Sequence, residues 1–262
     1  MKKLKRLKVL YDIVYQSEDD ITTKFMFVAS FILHYTAKII GFEIIYFPRM
    51  NILLQECIFI TRKKTIDFWM VWEGHEKYIM NMLNKYEKTG TFIDIGANIG
   101  KYSILLAKRG WKVYSFEPIR SSYEMLKYHS VTNKVNGNIK IFNVAIGEIT
   151  EKRKIYYSSY KTGEASISFK SKDSICENIY VEKLDNILLN EKMEQPMIMK
   201  IDVEGHEYEV LLGAKEIIKN YKPIIIIEMW NYMKDIDLLH SLGYNTELYR
   251  SNKSKKGIFY PY

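Results

Sequence analysis

Cysteine is nearly missing from this chain: Cys57 and Cys176 are the only two among 262 residues. They stand far apart and outside any CxxC or Cys/His cluster, so no zinc site is encoded, and a reduced, cytoplasmic protein is expected. Long uncharged apolar runs are missing too. The stretch from Phe25 to Phe47 is interrupted by His34, Lys38 and Glu43, well short of the about 20 apolar residues a spanning helix needs. The basic head MKKLKRLK is separated from that stretch by Glu18, Asp19 and Asp20, which argues against a secretory leader. Two glycine signatures are also absent. There is no GxGxxG for a dinucleotide and no GxxxxGK[ST] for a nucleoside triphosphate, and those absences disfavour a nicotinamide oxidoreductase and a P-loop enzyme.

What is present is a chain that is 47% apolar, enough for a sizeable core. Net charge is +8, but 39 basic residues are scattered among 31 acidic ones and bunch only near the two ends. That balance permits anionic partners without demanding them. From Thr91 on, short β-branched runs alternate with helical patterns, as βαβ units do. Strands are expected at Thr91–Ile95, Lys112–Glu117, Ile139–Val144, Met197–Ile201 and Pro223–Glu228. Their Ile and Val runs suit a doubly wound, mostly parallel α/β sheet covered on both faces. A helix starting near Gly205 would put Val210, Leu211, Ala214, Ile217 and Ile218 on one apolar stripe. After a helix over Asp235–Leu242, the segments Asn245–Arg250 and Gly257–Tyr260 read as a closing antiparallel hairpin.

Three regions follow: a helical arm at 1–48, a small strand and helix cap at 49–89, and a ligand-binding domain at 90–262. Residues Asn51–Trp72 read as short strands flanking TRKK. The arm is expected to pack on the domain or to lie peripherally on the inner face of a membrane. The polar segment from Lys152 to Ser174 interrupts the βα rhythm, and such an excursion caps a site or stays mobile.

The chemistry gathers at the carboxyl ends of the expected strands, where open α/β sheets bind ligands. Asp94, Gly96, Ala97, Asn98 and Gly100 form a strand-to-helix turn whose backbone a ligand can approach. Glu117, ending the next strand, can accept both hydroxyls of a ribose, and Asn143 with Ala145 can meet an adenine edge. At the fourth strand's end stand Asp202, Glu204, His206 and Glu207, a concentration of ionisable groups that packing does not explain. His206 has the pKa of a general base, yet it falls four residues before Val210 and could equally be a satisfied structural histidine. Asp202, Glu204 and Glu228 could hold a divalent cation, but three scattered carboxylates are a poor metal signature, and helix capping accounts equally well for Glu204 and Glu207.

Taken in order, FIDIGANIG (92–100), FEP (116–118), NVAIGE (143–148), KIDVEGHEYEVLLGA (200–214) and PIIIIE (223–228) resemble the FkbM-type methyltransferases over residues 90–230, and more loosely from Asp67. The resemblance implies a seven-stranded class I (Rossmann-like) fold with S-adenosylmethionine as donor. It also implies O-methylation of a sugar, glycan or related small-molecule hydroxyl. On that likeness Asp94, Gly96, Asn98 and Gly100 contact the donor's amino-acid end, Glu117 its ribose, and Asp202 to Glu207 face the acceptor. Residues 1–50 and 150–180 lie outside it.

Two other readings use the same residues. A nucleic-acid methyltransferase fits the +8 charge, but enzymes that methylate amino groups carry an Asn/Asp-Pro-Pro-aromatic stretch where this chain has AspValGluGly, and acidic residues there repel phosphate. A non-catalytic module docking on membranes through its basic N-terminus fits residues 1–48 and leaves the later motifs without a role.

Overall fold

The computed structural model describes residues 2–86, 89–158, 175–230, 232–250 and 255–261. They fall into two units that divide between Lys85 and Tyr86. The centre of the polar excursion, 159–174, lies outside the described residues.

The first unit contains α1 (Lys2–Gln16), α2 (Ile21–Ile39), β1 (Asn51–Leu54), β2 (Cys57–Ile60), α3 (Asp67–Val71) and α4 (Lys77–Leu83). Asp20 caps α2 by accepting the Thr23 N–H at 2.8 Å, which satisfies one of the donors a helix start leaves over. Its buried side carries Phe27 and Phe31, which meet Phe47 and Phe68 in a cluster of tilted and edge-on rings. Helix α1 buries Val9 and Ile13, and its Asp12 accepts the Trp72 indole N–H at 2.7 Å. Asp19 binds both the backbone and the side chain of Asn51. Residues 1–48 are thus folded together with 49–85, and the division drawn at residue 48 runs through a shared core. One strand assignment needs correcting. Both strands precede TRKK and a helix follows it, because the Asp67 carboxylate takes the Arg62 backbone N–H and its guanidinium together. That fork closes residues 62–67 into a turn. Among the described residues no helix is long and apolar enough to cross a membrane.

The second unit begins with β3 (Thr91–Ile95), α5 (Lys101–Lys108), β4 (Lys112–Phe116), α6 (Arg120–Thr132) and β5 (Ile139–Phe142). After β6 (Ala145–Ile146), β7 (Glu151–Tyr157), β8 (Ile175–Glu182) and α7 (Leu184–Leu188), it resumes with β9 (Met197–Ile201), α8 (Glu207–Gly213), α9 (Lys215–Tyr221) and β10 (Ile224–Met229). It closes with α10 (Tyr232–Ser241), β11 (Tyr244–Arg250) and β12 (Lys255–Pro261). The main sheet runs β11-β12-β10-β9-β3-β4-β5. Its four inner pairings, joining the five strands from β10 to β5, are parallel and the C-terminal hairpin is antiparallel, with β12 seated against β10. This is the seven-stranded class I arrangement. The chain winds outward from β3 through β4 to β5, then returns to β9 on the other side of β3. Because such crossovers share one hand, the reversal places the helices of the two halves on opposite faces.

Strands β3 and β9 have every residue buried, including one charged residue each, Asp94 and Lys200. Val210, Leu211, Ala214, Ile217 and Ile218 are all fully buried, each side chain contributing about 1.5–3 kcal/mol of burial if as large as Val, Leu or Ile. The stripe is carried on two helices, however, broken at Ala214. A Cβ on Gly213 would stand 2.0 Å from the Gly147 carbonyl oxygen, so main chain meets main chain where α8 ends. The excursion is also different from a loop. Its flanks are the strands β7 and β8, which pair antiparallel from Glu151↔Val181 to Tyr157↔Ile175, with β6 alongside β8. Ile155, Tyr157, Ile179 and Val181 bury themselves with Ile119 and Ala145 as a small separate core.

Candidate functional site

The topological switch falls between β3 and β9, and the exits of those two strands are bound together. The register sets Asp94 opposite Ser115 of β4 on one side and Lys200 of β9 on the other. Asp94 is 1% exposed. Its Oδ2 accepts the Ser103 hydroxyl at 2.6 Å, and Ser103 accepts the Ser115 hydroxyl at 2.7 Å. The Lys200 ammonium lies 3.7 Å from Asp94 Oδ1 and 3.1 Å from Asp202 Oδ2. Burial raises the Asp94 pKa above its ordinary value, and the charge of Lys200 works against that rise. A lone buried carboxylate costs several kcal/mol, so a lysine inside the sheet is what keeps it tolerable.

Past β3 the chain turns sharply. Gly96 has φ +79°, and a Cβ there would stand 1.9 Å from the Asp202 carbonyl oxygen. Only glycine allows that approach. Asn98 also adopts a left-handed conformation, φ +50°, which asparagine tolerates better than most residues. Two buried acceptors on this turn, Asp94 Oδ1 and Asn98 Oδ1, receive no hydrogen bond. Buried acceptors without donors are rare, and these two suit a cationic ligand group such as an ammonium. Gly100 opens α5 with φ +88°, and Ala97 is buried beneath the turn.

Glu117 is placed differently from a free ribose ligand. Its Oε2 accepts the Asn98 N–H at 2.8 Å and its Oε1 the Ile119 N–H at 2.9 Å. The carboxylate braces the glycine turn from the end of β4. Asn143 donates its amide to main chain, at the Glu117 and Pro118 carbonyls. Ala145 is set in the core of the small sheet, its side chain turned to packing.

Past Asp202 the chain leaves β9 through Glu204 at φ +52° and Gly205 at φ +98°. His206 is buried against Gly147, with its Nδ1 3.4 Å from Glu209. Burial lowers its pKa below the usual 6.5, with Glu209, Arg153 and Glu151 as the charges acting on it. Glu207 accepts the Gly205 N–H at 2.8 Å and is 2% exposed. Burial, helped by the charges of Asp235 and Asp202, pushes its pKa up to about 7. Asp235 of α10 is itself fully buried with neither oxygen hydrogen-bonded, and burial raises its pKa to about 6. Of the carboxylates considered for a cation, Asp202 pairs with Lys200 and Glu228 with Lys256.

Comparison with known proteins decides the family. Residues 94–246, from Asp94 to the start of the hairpin's first strand, match the Methyltransferase FkbM domain. The chain belongs to the FkbM methyltransferase family. A protein named Hexuronic acid methyltransferase AglP, from Haloferax volcanii, is 23% identical over 190 residues, covering 70% of this chain and 74% of that protein. Methyltransferase sdnD of Sordaria araneosa is 23% identical over 173 residues, 53% of this chain and 65% of its own length. Among solved structures, the methyltransferase FkbM from Methylobacillus flagellatus KT superposes with a TM-score of 0.49 at 16% identity, over 99% of this chain and 60% of that one. This FkbM methyltransferase therefore spans about three fifths of that solved relative.

Four polar groups of this FkbM site have roles that the sequence alone does not state. Lys200 was signalled by standing as the one charge in the apolar strand MIMKI. Ser103 and Ser115 carry no such signal, since only the sheet register and the α5 packing bring them to Asp94. Asp235 looks like an ordinary exposed helix acid until α10 buries it.

Proposed function

We propose that this protein is an S-adenosylmethionine-dependent O-methyltransferase acting on a hydroxyl of a sugar, glycan or related metabolite. The observation that carries the reading is the pair of buried acceptors that receive no hydrogen bond, Asp94 Oδ1 and Asn98 Oδ1, on a turn where Gly96 leaves no room for a side chain against the Asp202 carbonyl. They fit the ammonium of the donor's amino-acid end, and Gly96 and Gly100 let the ligand approach the backbone. Glu117 would take the ribose and Asn143 the adenine edge. Bound there, S-adenosylmethionine would supply a sulfonium methyl group, whose transfer is an in-line displacement governed by positioning.

The residues of this chain would then orient the hydroxyl and accept its proton. His206, held below its ordinary pKa, is neutral at neutral pH and is the proposed acceptor of that proton, and Asp202 and Glu204 would help orient the hydroxyl. A second reading gives the role to Glu207, favoured by its pKa of about 7 and its electrostatic tie to Asp202. For the methyl acceptor, the relative named as a hexuronic acid methyltransferase supports a carbohydrate.

Calorimetry with S-adenosylmethionine tests the first half. Binding is expected in the wild type and lost in Asp94→Ala; NAD binding in its place would sink the reading. His206→Ala should retain binding and lose turnover, and equal loss of binding in both variants would refute the division of roles. Labelled S-adenosylmethionine incubated with extracts of cells lacking the protein, with and without the purified enzyme, should mark a carbohydrate fraction.

A further inference from the structure

Large apolar side chains left in solvent are unevenly distributed. Of the 23 exposed ones among the described residues, 15 lie between Leu4 and Leu53. On α1 they form a line: Leu4, Leu7, Tyr11 and Tyr15 are spaced by three, four and four residues and are 63–77% exposed. That spacing puts them on one face, opposite the buried Val9 and Ile13. Lys5 and Lys8 are exposed along its border, with Lys5 also 5.6 Å from the Trp72 ring. The helix has one acid, Asp12, and the Trp72 indole occupies it. Helix α2 presents a second outward face, Ile21, Phe25, Ile32 and Ile39.

A helix that buries one apolar side and exposes another has a second partner. The charge identifies it: five of the first eight residues are basic, and a second copy of this chain would bring the same cations together. We infer that α1 docks the protein on an anionic lipid surface, with Leu4, Leu7, Tyr11 and Tyr15 sunk to the level of the headgroups and Lys5 and Lys8 against the phosphates. Tyrosine, with an apolar ring and a polar tip, suits that depth. Association is peripheral, in keeping with the described residues holding no helix long and apolar enough to cross.

Co-sedimentation of the full chain with vesicles tests the inference. Phosphatidylglycerol-containing vesicles should bind it at least about tenfold more tightly than phosphatidylcholine vesicles, and added salt should weaken the binding. Lys5→Glu with Lys8→Glu, and separately Leu4→Ser with Leu7→Ser, should each reduce binding at least about tenfold without changing the melting temperature. Should a variant fold poorly, Lys5→Arg with Lys8→Arg must still bind like the wild type, and the wild-type salt titration stands independently. Equal binding to both vesicle types, indifference to salt, unchanged binding in the folded variants, or a stripe that mediates self-association or an acidic protein contact instead would each overturn it.

Discussion

The main chains of Gly96 and Asp202 approach so closely that a single added methyl group would stand 1.9 Å from the Asp202 carbonyl oxygen. The exits of the first and fourth parallel strands of the domain are thereby fixed against each other, and the donor and acceptor sides of the proposed site share one piece of backbone. Gly96→Ala combines that clash with a left-handed φ of +79°. It should cost about 2 kcal/mol or more, seen as a lower midpoint in denaturant, and should abolish S-adenosylmethionine binding in calorimetry. A variant that binds normally would show that the strands separate without consequence.

Lys200 and Asp94 form a buried pair at 3.7 Å. Lys200→Met leaves Asp94 and Asp202 without that cation and should destabilise by about 3–5 kcal/mol. Adding Asp94→Asn should restore part of the loss, and a double-mutant cycle from chemical denaturation measures how much. Strict additivity of the two changes would mean that the pair is not coupled.

Asn98 separates backbone conformation from ligand contact. Asn98→Gly keeps the left-handed turn and removes Oδ1, so stability should hold while donor affinity falls about tenfold or more, the scale of a hydrogen bond to a charged group. Asn98→Ala should lose both. The two variants compared by thermal melts and calorimetry decide whether that side chain serves the turn or the ligand.

Glu207 makes stability depend on pH with a definite sign. Its pKa is raised from 4.5 to about 7, so the folded state holds its proton more firmly than the unfolded state. Its contribution is complete below pH 4.5 and is lost as pH rises through 7. Glu207→Gln keeps an acceptor for the Gly205 N–H and removes the titration. The variant should gain on the wild type between pH 5 and 7 and then run parallel to it in urea unfolding. Asp235→Asn should do likewise over the lower window, 3.8 to about 6; a constant offset across pH would contradict both.

What could be read from sequence follows the physics of each element. Strands β3 and β9 are legible to the residue because strands covered on both faces are mostly apolar, each here with a single charged residue, and the turn at Asp94–Gly100 is plain because its conformations need glycine and asparagine. Strands β7 and β8 escaped notice because most of their residues face solvent, with burial alternating only near Ile155, Tyr157, Ile179 and Val181. The break at Ala214 depends on Gly147, over 60 positions earlier. The Lys200–Asp94 pairing likewise depends on a register that no local pattern states, and the raised pKa values of Glu207 and Asp235 come from burial between α8 and α10.

The serine pair beneath the glycine turn gives the site a direction. Ser103 has a single hydroxyl proton and points it at Asp94 Oδ2, so Ser115 must donate to Ser103 and the chain of hydroxyls can run only one way. With one oxygen engaged by the hydroxyl chain, the carboxylate presents its other oxygen on the Lys200 side, so the part of the donor site nearest the sheet is set by the sheet's own packing.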